Sequence, residues 1–195
     1  MIRKIFIKLF FVLLLITESS AIIEVDITRG NLNPLPVAVS PLFSDENTDQ
    51  NLKSNYEIIK LGEKISKVVE NNLKATGLFN PIAKKAFLQK PDVAHLKPRF
   101  EDWALIKSQA LITGQIKLEN EKLRVEFRLW DVLAGKEMMA LAFTTVPTNW
   151  RRVGHIISDK VYERLTGEKG YFDTRIIYVS EEGPKTNRVK KLAIM

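Results

Sequence analysis

The 195-residue sequence has no cysteine and only two histidines. It therefore offers no disulfide framework, thiol chemistry or thiolate metal site, and outside a reducing compartment its stability must come from a packed core. Nine glycines and eight prolines leave no low-complexity tract. No self-similarity recurs at a period of roughly 20 to 50 residues, which excludes a solenoid or a complete propeller at this length. Phosphate-cradling motifs are missing as well: there is no GxGxxG, and Gly167-Glu168-Lys169-Gly170 has the wrong spacing for a P-loop and follows a helical pattern rather than a strand.

What is present is ordinary globular composition. A content of 45% hydrophobic, 27% charged and 9% aromatic residues argues against a disordered, collagen-like or multi-span membrane protein, with room for one domain and little for a second. Arg3, Lys4 and Lys8 precede an apolar run from Leu9 to Ile16, and Ser19-Ser20-Ala21 supplies small residues at a signal-peptidase spacing. Residues 1–21 are thus expected to be a cleavable secretory signal, cut between Ala21 and Ile22. The rival reading, a membrane anchor, needs roughly 20 apolar residues and the run is far shorter. Removing residues 1–21 lowers the net charge from +7 to +5 over 174 residues. Lys and Arg alternate with Glu and Asp along the helical stretches, so the charge reads as solvated surface and not as a nucleic-acid footprint.

Ile22 to Thr28 is β-branched, ends at the turn signal Arg29-Gly30-Asn31, and reads as a strand. Leu35 to Leu42 is a second strand, and Ser44 to Asn55 a polar loop. Ile58, Leu61, Ile65, Val68 or Val69 and Leu73 recur at spacings of three and four, with Gly77 placed to end the helix. Leu78 to Ile82 is extended, so strand, helix and strand can form one crossover unit. Residues 83–98 hold Pro91 and Pro98 and read as a loop, with a helical turn, ahead of Phe100 to Lys107.

The pattern then changes to period two. Ala110 to Leu118, Leu123 to Asp131 and Lys136 to Thr145 read as an antiparallel meander. In its middle strand Leu123, Val125, Phe127 and Leu129 face the core, while Arg124, Glu126, Arg128 and Trp130 face a partly wet side. A second long helix, about Asn149 to Leu165, carries Trp150, Val153, Ile157, Val161 and Leu165 on one stripe; Thr148 or Asn149 can cap it and Gly167 ends it. Two long helices and one apolar sheet face predict an α/β (α+β) two-layer sandwich with a mixed sheet.

No catalytic signature emerges. His155, Ser158 and Asp159 sit three and four apart on one helix and cannot take the geometry of a nucleophilic triad. His95 has no second ligand at metal spacing. Adjacent carboxylates such as Glu101-Asp102 and Glu181-Glu182 point apart. A binding module is the expectation, with no enzymatic activity, no cofactor and no metal.

The ordered series Asn149-Trp150-Arg151-Arg152, His155-Ile156-Ile157-Ser158-Asp159, Tyr162 to Gly170 and Tyr171 to Ile176, with Phe127-Arg128-Leu129-Trp130-Asp131 and Gly77-Leu78-Phe79 upstream, resembles the TolB family of the Tol-Pal envelope system. The resemblance covers essentially the chain beyond residue 21 and is densest over residues 123–195. It implies a non-enzymatic periplasmic adaptor, peripheral to the envelope membranes, that links inner-membrane TolA to the outer-membrane lipoprotein Pal and supports outer-membrane integrity and invagination during cell division. It also implies that the first residues after the signal, here Ile22, Ile23, Glu24, Val25, Asp26, Ile27, Thr28, Arg29, Gly30 and Asn31, contact the TolA carboxy-terminal domain. A terminal strand suits that role by β-augmentation; the plainer reading is a structural edge strand.

The implied layout is a signal at 1–21, an α/β domain at 22–167, and at 168–195 a linker with the start of the family's six-bladed propeller, which carries the Pal surface. Thr174 to Ser180 and Val189 to Met195 read as that propeller's opening hairpin, marginal in water by itself. On this reading the chain keeps the TolA-facing domain without the Pal-binding propeller. A truncated or split-gene fragment and, more remotely, an exported enzyme with an unrecognised site are the alternatives.

Overall fold

The computed structural model describes residue 23, residues 33–44 and residues 52–194. The chain runs β1 (Leu35–Val39), α1 (Leu52–Ala75), β2 (Phe79–Pro81), a 3-10 turn (Lys84–Ala86), α2 (Pro91–Ala94), α3 (Phe100–Leu105), β3 (Ala110–Glu119), β4 (Lys122–Asp131) and β5 (Lys136–Thr145). A 3-10 turn (Pro147–Asn149), α4 (Trp150–Thr166), β6 (Ile177–Glu182) and β7 (Val189–Ile194) follow. Five strands form one mixed sheet in the order β2-β1-β3-β4-β5.

β1 lies parallel to both β2 and β3, so β1-α1-β2 is the crossover that the sequence predicts. β3, β4 and β5 are the predicted antiparallel meander. The β3–β4 link has only Asn120 and Glu121, both at positive φ (50° and 61°), a two-residue hairpin whose twist matches that of the flanking strands.

Both long helices cover one sheet face. Ile58, Ile65, Val69 and Leu73 from α1 meet Val153, Ile157, Val161 and Leu165 from α4 over Leu123, Val125, Phe127 and Leu129 of β4 in one buried cluster. Gly77 and Gly167 stop the two helices at φ 73° and 76°, the left-handed conformation that glycine adopts without strain. Ser66 ties α1 to the end of β1: its hydroxyl donates to the Ser40 carbonyl at 3.0 Å and accepts from the Leu42 N–H at 3.1 Å.

The structure adjusts the expectations at several points. α1 begins at Leu52, inside the tract read as loop. Asn149 precedes α4 but makes no side-chain cap, because the 3-10 turn at Pro147–Asn149 already starts the winding. Trp150 packs against the main core as the stripe predicts but is only half-buried, with Lys64 and Arg151 over its ring at 5.7 and 5.0 Å.

The second face of the sheet is not wet along its whole length. Trp130 points there as expected, yet it is buried with Ala38, Leu111, Trp103, Ala94 and Val132 in a separate small core. Residues 83–108 stand over that end as a cover. Its pin is Gln89, whose carbonyl oxygen accepts from Trp103 Nε1 at 2.7 Å and from the Arg99 N–H at 3.0 Å. The rest of that face carries half-exposed Arg124, Glu126 and Arg128.

β6 and β7 pair antiparallel as a separate hairpin. Ile177, Val179, Leu192 and Ile194 on it are exposed. Glu181 bridges Arg188 and Lys190, and Glu182 meets Lys191.

Candidate functional site

The sequence-derived site, Ile22 to Asn31, falls almost wholly outside the described residues, as does the cleavage point at Ala21 and Ile22. The expected strand over Ile22 to Thr28 can be examined only at Ile23. That side chain is half-buried and packs against the main core. In the expected strand, alternation would put Val25 and Ile27 in phase with Ile23, and Glu24, Asp26 and Thr28 in the opposite phase.

Two further features lie around α4. The first is an open sheet edge. β5 is ten residues long and has no strand on its outer side among the described residues. Between it and the start of α4 lies a cavity of about 370 Å³, lined by Phe143, Thr145, Asn149, Arg152, Val153 and Ile156 among others. A sheet edge without a neighbouring strand among the described residues, beside a partly apolar trough, has the geometry of a strand acceptor, although the Met138 carbonyl on β5 already accepts from Arg164 Nε at 3.3 Å.

The second feature is the exit from α4. Asp159 accepts the backbone N–H of Phe172 at 2.6 Å and that of Asp173 at 3.1 Å. Asp173 in turn takes two hydrogen bonds from Arg152 Nε and Nη2 at about 3.1 Å. Gly170 presses so closely that a Cβ there would sit 2.4 Å from Asp159 Cα. Tyr162, Tyr171 and Phe172 stack edge and face beside this clamp, and desolvation, with a smaller contribution from Tyr162, raises the Tyr171 phenol above its usual range. Residues 170–173 are thereby fastened to the helix before the chain enters β6. The sequence offered little signal for this, since the partners lie 13 and 14 residues apart in no recurring pattern.

The polar residues weighed for catalysis are occupied structurally. Ser158 is fully buried; its hydroxyl donates to the Gly154 carbonyl at 2.8 Å and accepts from Asn72 Nδ2 at 2.9 Å. Asn72 also meets His155 Nδ1 at 2.9 Å, so His155 and Ser158 join the two long helices while Asp159 turns to the exit clamp. His95 stacks on Phe43 with ring centroids 4.4 Å apart. Among the described residues no group of three or more His, Cys, Asp or Glu side chains is placed to hold a metal ion. On the polar sheet face, Gln115 Nε2 and Arg124 Nε converge on Glu126, holding its carboxyl below the usual range through those hydrogen bonds, the Gln115 one first.

Comparison with known proteins agrees with this architecture. A curated relative, the Tol-Pal system protein TolB of Pelagibacter ubique (strain HTCC1062), is 76% identical over 178 residues. The match covers 91% of this chain and 40% of that protein, so the chain spans well under half the length of the relative. Among solved structures, TolB from Acinetobacter baumannii superposes with a TM-score of 0.63 at 22% identity, over 83% of this chain and 36% of that one, a likeness of fold. The family model for the TolB amino-terminal domain matches residues 23–138, from Ile23 on the core through β1, α1 and most of the meander. With well over half its length matched by that model, the chain belongs to the TolB amino-terminal domain family.

Proposed function

We propose that the chain is the TolA-facing part of a non-enzymatic periplasmic adaptor of the Tol-Pal system. The observation that carries this is the 76% identity over 178 residues to a protein named as a Tol-Pal system protein. In this reading residues 1–21 direct export and are removed between Ala21 and Ile22. Residues 22–167 form the α/β domain, and residues 168–195 lead into the β-propeller that bears the Pal surface. The adaptor then joins inner-membrane TolA to outer-membrane Pal, supporting outer-membrane integrity and its invagination at division.

Ile22 to Asn31 is the contact with the TolA carboxy-terminal domain. Its strand phase supports strand addition, in which backbone N–H and C=O groups pair with an exposed partner edge and alternate side chains set specificity. Ile23, seated on the core, serves as the fixed end from which Glu24 to Asn31 reach the partner.

Proline tests this directly, because it removes one N–H from the ladder. Val25 and Asp26 present their N–H groups to opposite sides of a strand, so Val25→Pro or Asp26→Pro must delete an intermolecular hydrogen bond. At least one should weaken binding of the TolA carboxy-terminal domain by about tenfold or more, as expected for a lost buried backbone pair. Unchanged affinity in both variants would rule out strand addition.

A further inference from the structure

We propose that the outward side of the 83–108 cover is a docking patch for an anionic lipid surface. This goes beyond the adaptor reading and depends on no part of the TolA contact. The inward side of the cover is fixed by Phe87, Ala94, Phe100, Trp103 and Ile106 on the second core. Beside these anchors the chain turns large apolar groups outward: Leu88, Val93, Leu96 and Leu105 are 58, 48, 69 and 75% exposed. On α3, Leu105 lies two residues from buried Trp103, which is about 200° around the helix and so away from the sheet. Leu133, 71% exposed, adds a fifth from the β4–β5 turn, whose Gly135 lies against Phe100.

Charge accompanies these apolar groups. Residues 84–107 hold six Lys or Arg against three Asp or Glu. Arg99 is paired with Asp102, while Lys84, Lys85, Lys90, Lys97 and Lys107 are all exposed. Lysines interleaved with exposed leucines match a bilayer interface, where the apolar tips enter the acyl boundary and long stems carry ammonium groups to lipid phosphates. The apolar groups come from separate turns with no helical or strand period. A protein groove would need them in register, whereas a fluid surface receives them in any arrangement. The cover is also firmly seated, through Gln89 with Trp103 and Arg99, so binding needs no folding of a segment. No helix among the described residues is long and apolar enough to cross a membrane, so the association proposed lies on the surface.

The test is co-sedimentation of the protein as the cell produces it with vesicles of phosphatidylcholine and phosphatidylglycerol at about three to one, and with phosphatidylcholine alone. All variants share every residue outside 83–108, so any contribution of residues 1–21 is common to them. Lys84→Gln/Lys85→Gln/Lys97→Gln should lower partitioning onto the anionic vesicles by about a hundredfold, since each lysine near such a surface contributes roughly a fivefold factor. Leu96→Ser/Leu105→Ser should lower it by about tenfold or more. Every altered side chain is exposed, and matching thermal melts check that the fold is kept. Equal binding of intact and variant proteins to anionic vesicles overturns the proposal, as does equal binding of the intact protein to both vesicle types. Loss with the lysine variant but none with the leucine variant overturns insertion. Retention on immobilised polyglutamate without vesicle binding assigns the patch to an acidic protein and overturns the lipid assignment.

Discussion

Asp159→Ala should release residues 170–173 from α4 while leaving the domain folded. The carboxylate holds two backbone N–H groups, at 2.6 and 3.1 Å, and each such bond to a charged acceptor is worth about 1.5 to 3 kcal/mol when shielded. Asp159 is half-exposed and water recovers part of the loss, so about 2 to 3 kcal/mol for opening the segment is a reasonable total. Amide exchange at Phe172 and Asp173 should then rise by about 30- to 100-fold. Chymotrypsin should cut at Tyr171 or Phe172 faster by a similar factor, and exchange at Phe127 should stay within about twofold, as it reports on the core. Gly170→Ala attacks the same clamp sterically, because its Cβ would meet Asp159 Cα at 2.4 Å. The two changes should be non-additive, the double variant opening little more than either single one. Unchanged protection at Phe172 in Asp159→Ala would refute the clamp, and additive effects would refute the shared mechanism.

Two further outcomes follow from packing and charge. Gly154 lets α4 approach α1, and a Cβ there would sit 2.8 and 2.9 Å from Val68 side-chain atoms; Gly154→Ala should cost about 1 to 3 kcal/mol in urea unfolding and less in a Val68→Ala background. Glu126 is held below its ordinary pKa by Gln115 and Arg124, so its stabilisation is present above about pH 4.5 and lost as pH falls through the lowered value. Glu126→Gln should therefore lower stability by about 0.5 kcal/mol at pH 7, with the gap from the intact protein closing toward pH 3; a gap that widens on acidification would contradict that assignment.

Where one residue pattern dominates, the sequence is a sufficient guide. Leu123, Val125, Phe127 and Leu129 alternate cleanly and are all fully buried, because a strand with one core face leaves no other register. Val153, Ile157, Val161 and Leu165 mark their helix face equally well. Legibility fails where partners are distant. Residues 83–108 contain two prolines and no period, and what organises them is the Gln89 side chain bonded to residues 10 and 14 positions away. Trp130 reads as the wet side of β4, yet Phe100 and Trp103 cover it from outside the strand pattern. The exit clamp is likewise invisible locally, since Asp159 resembles any exposed acid on a helix. The proposed partner segment, Ile22 to Asn31, rests on strand phase and family resemblance; of its residues the structure describes only Ile23.

The central claim is that Ile22 to Asn31 carries the TolA contact. Isothermal titration of a purified TolA carboxy-terminal domain into the intact protein and into a form lacking residues 22–33 tests it most directly, with circular dichroism checking that both are folded. The expected result is saturable binding to the intact protein and no detectable heat of binding with the deleted form. Equal affinity for both would place the contact elsewhere and contradict the account.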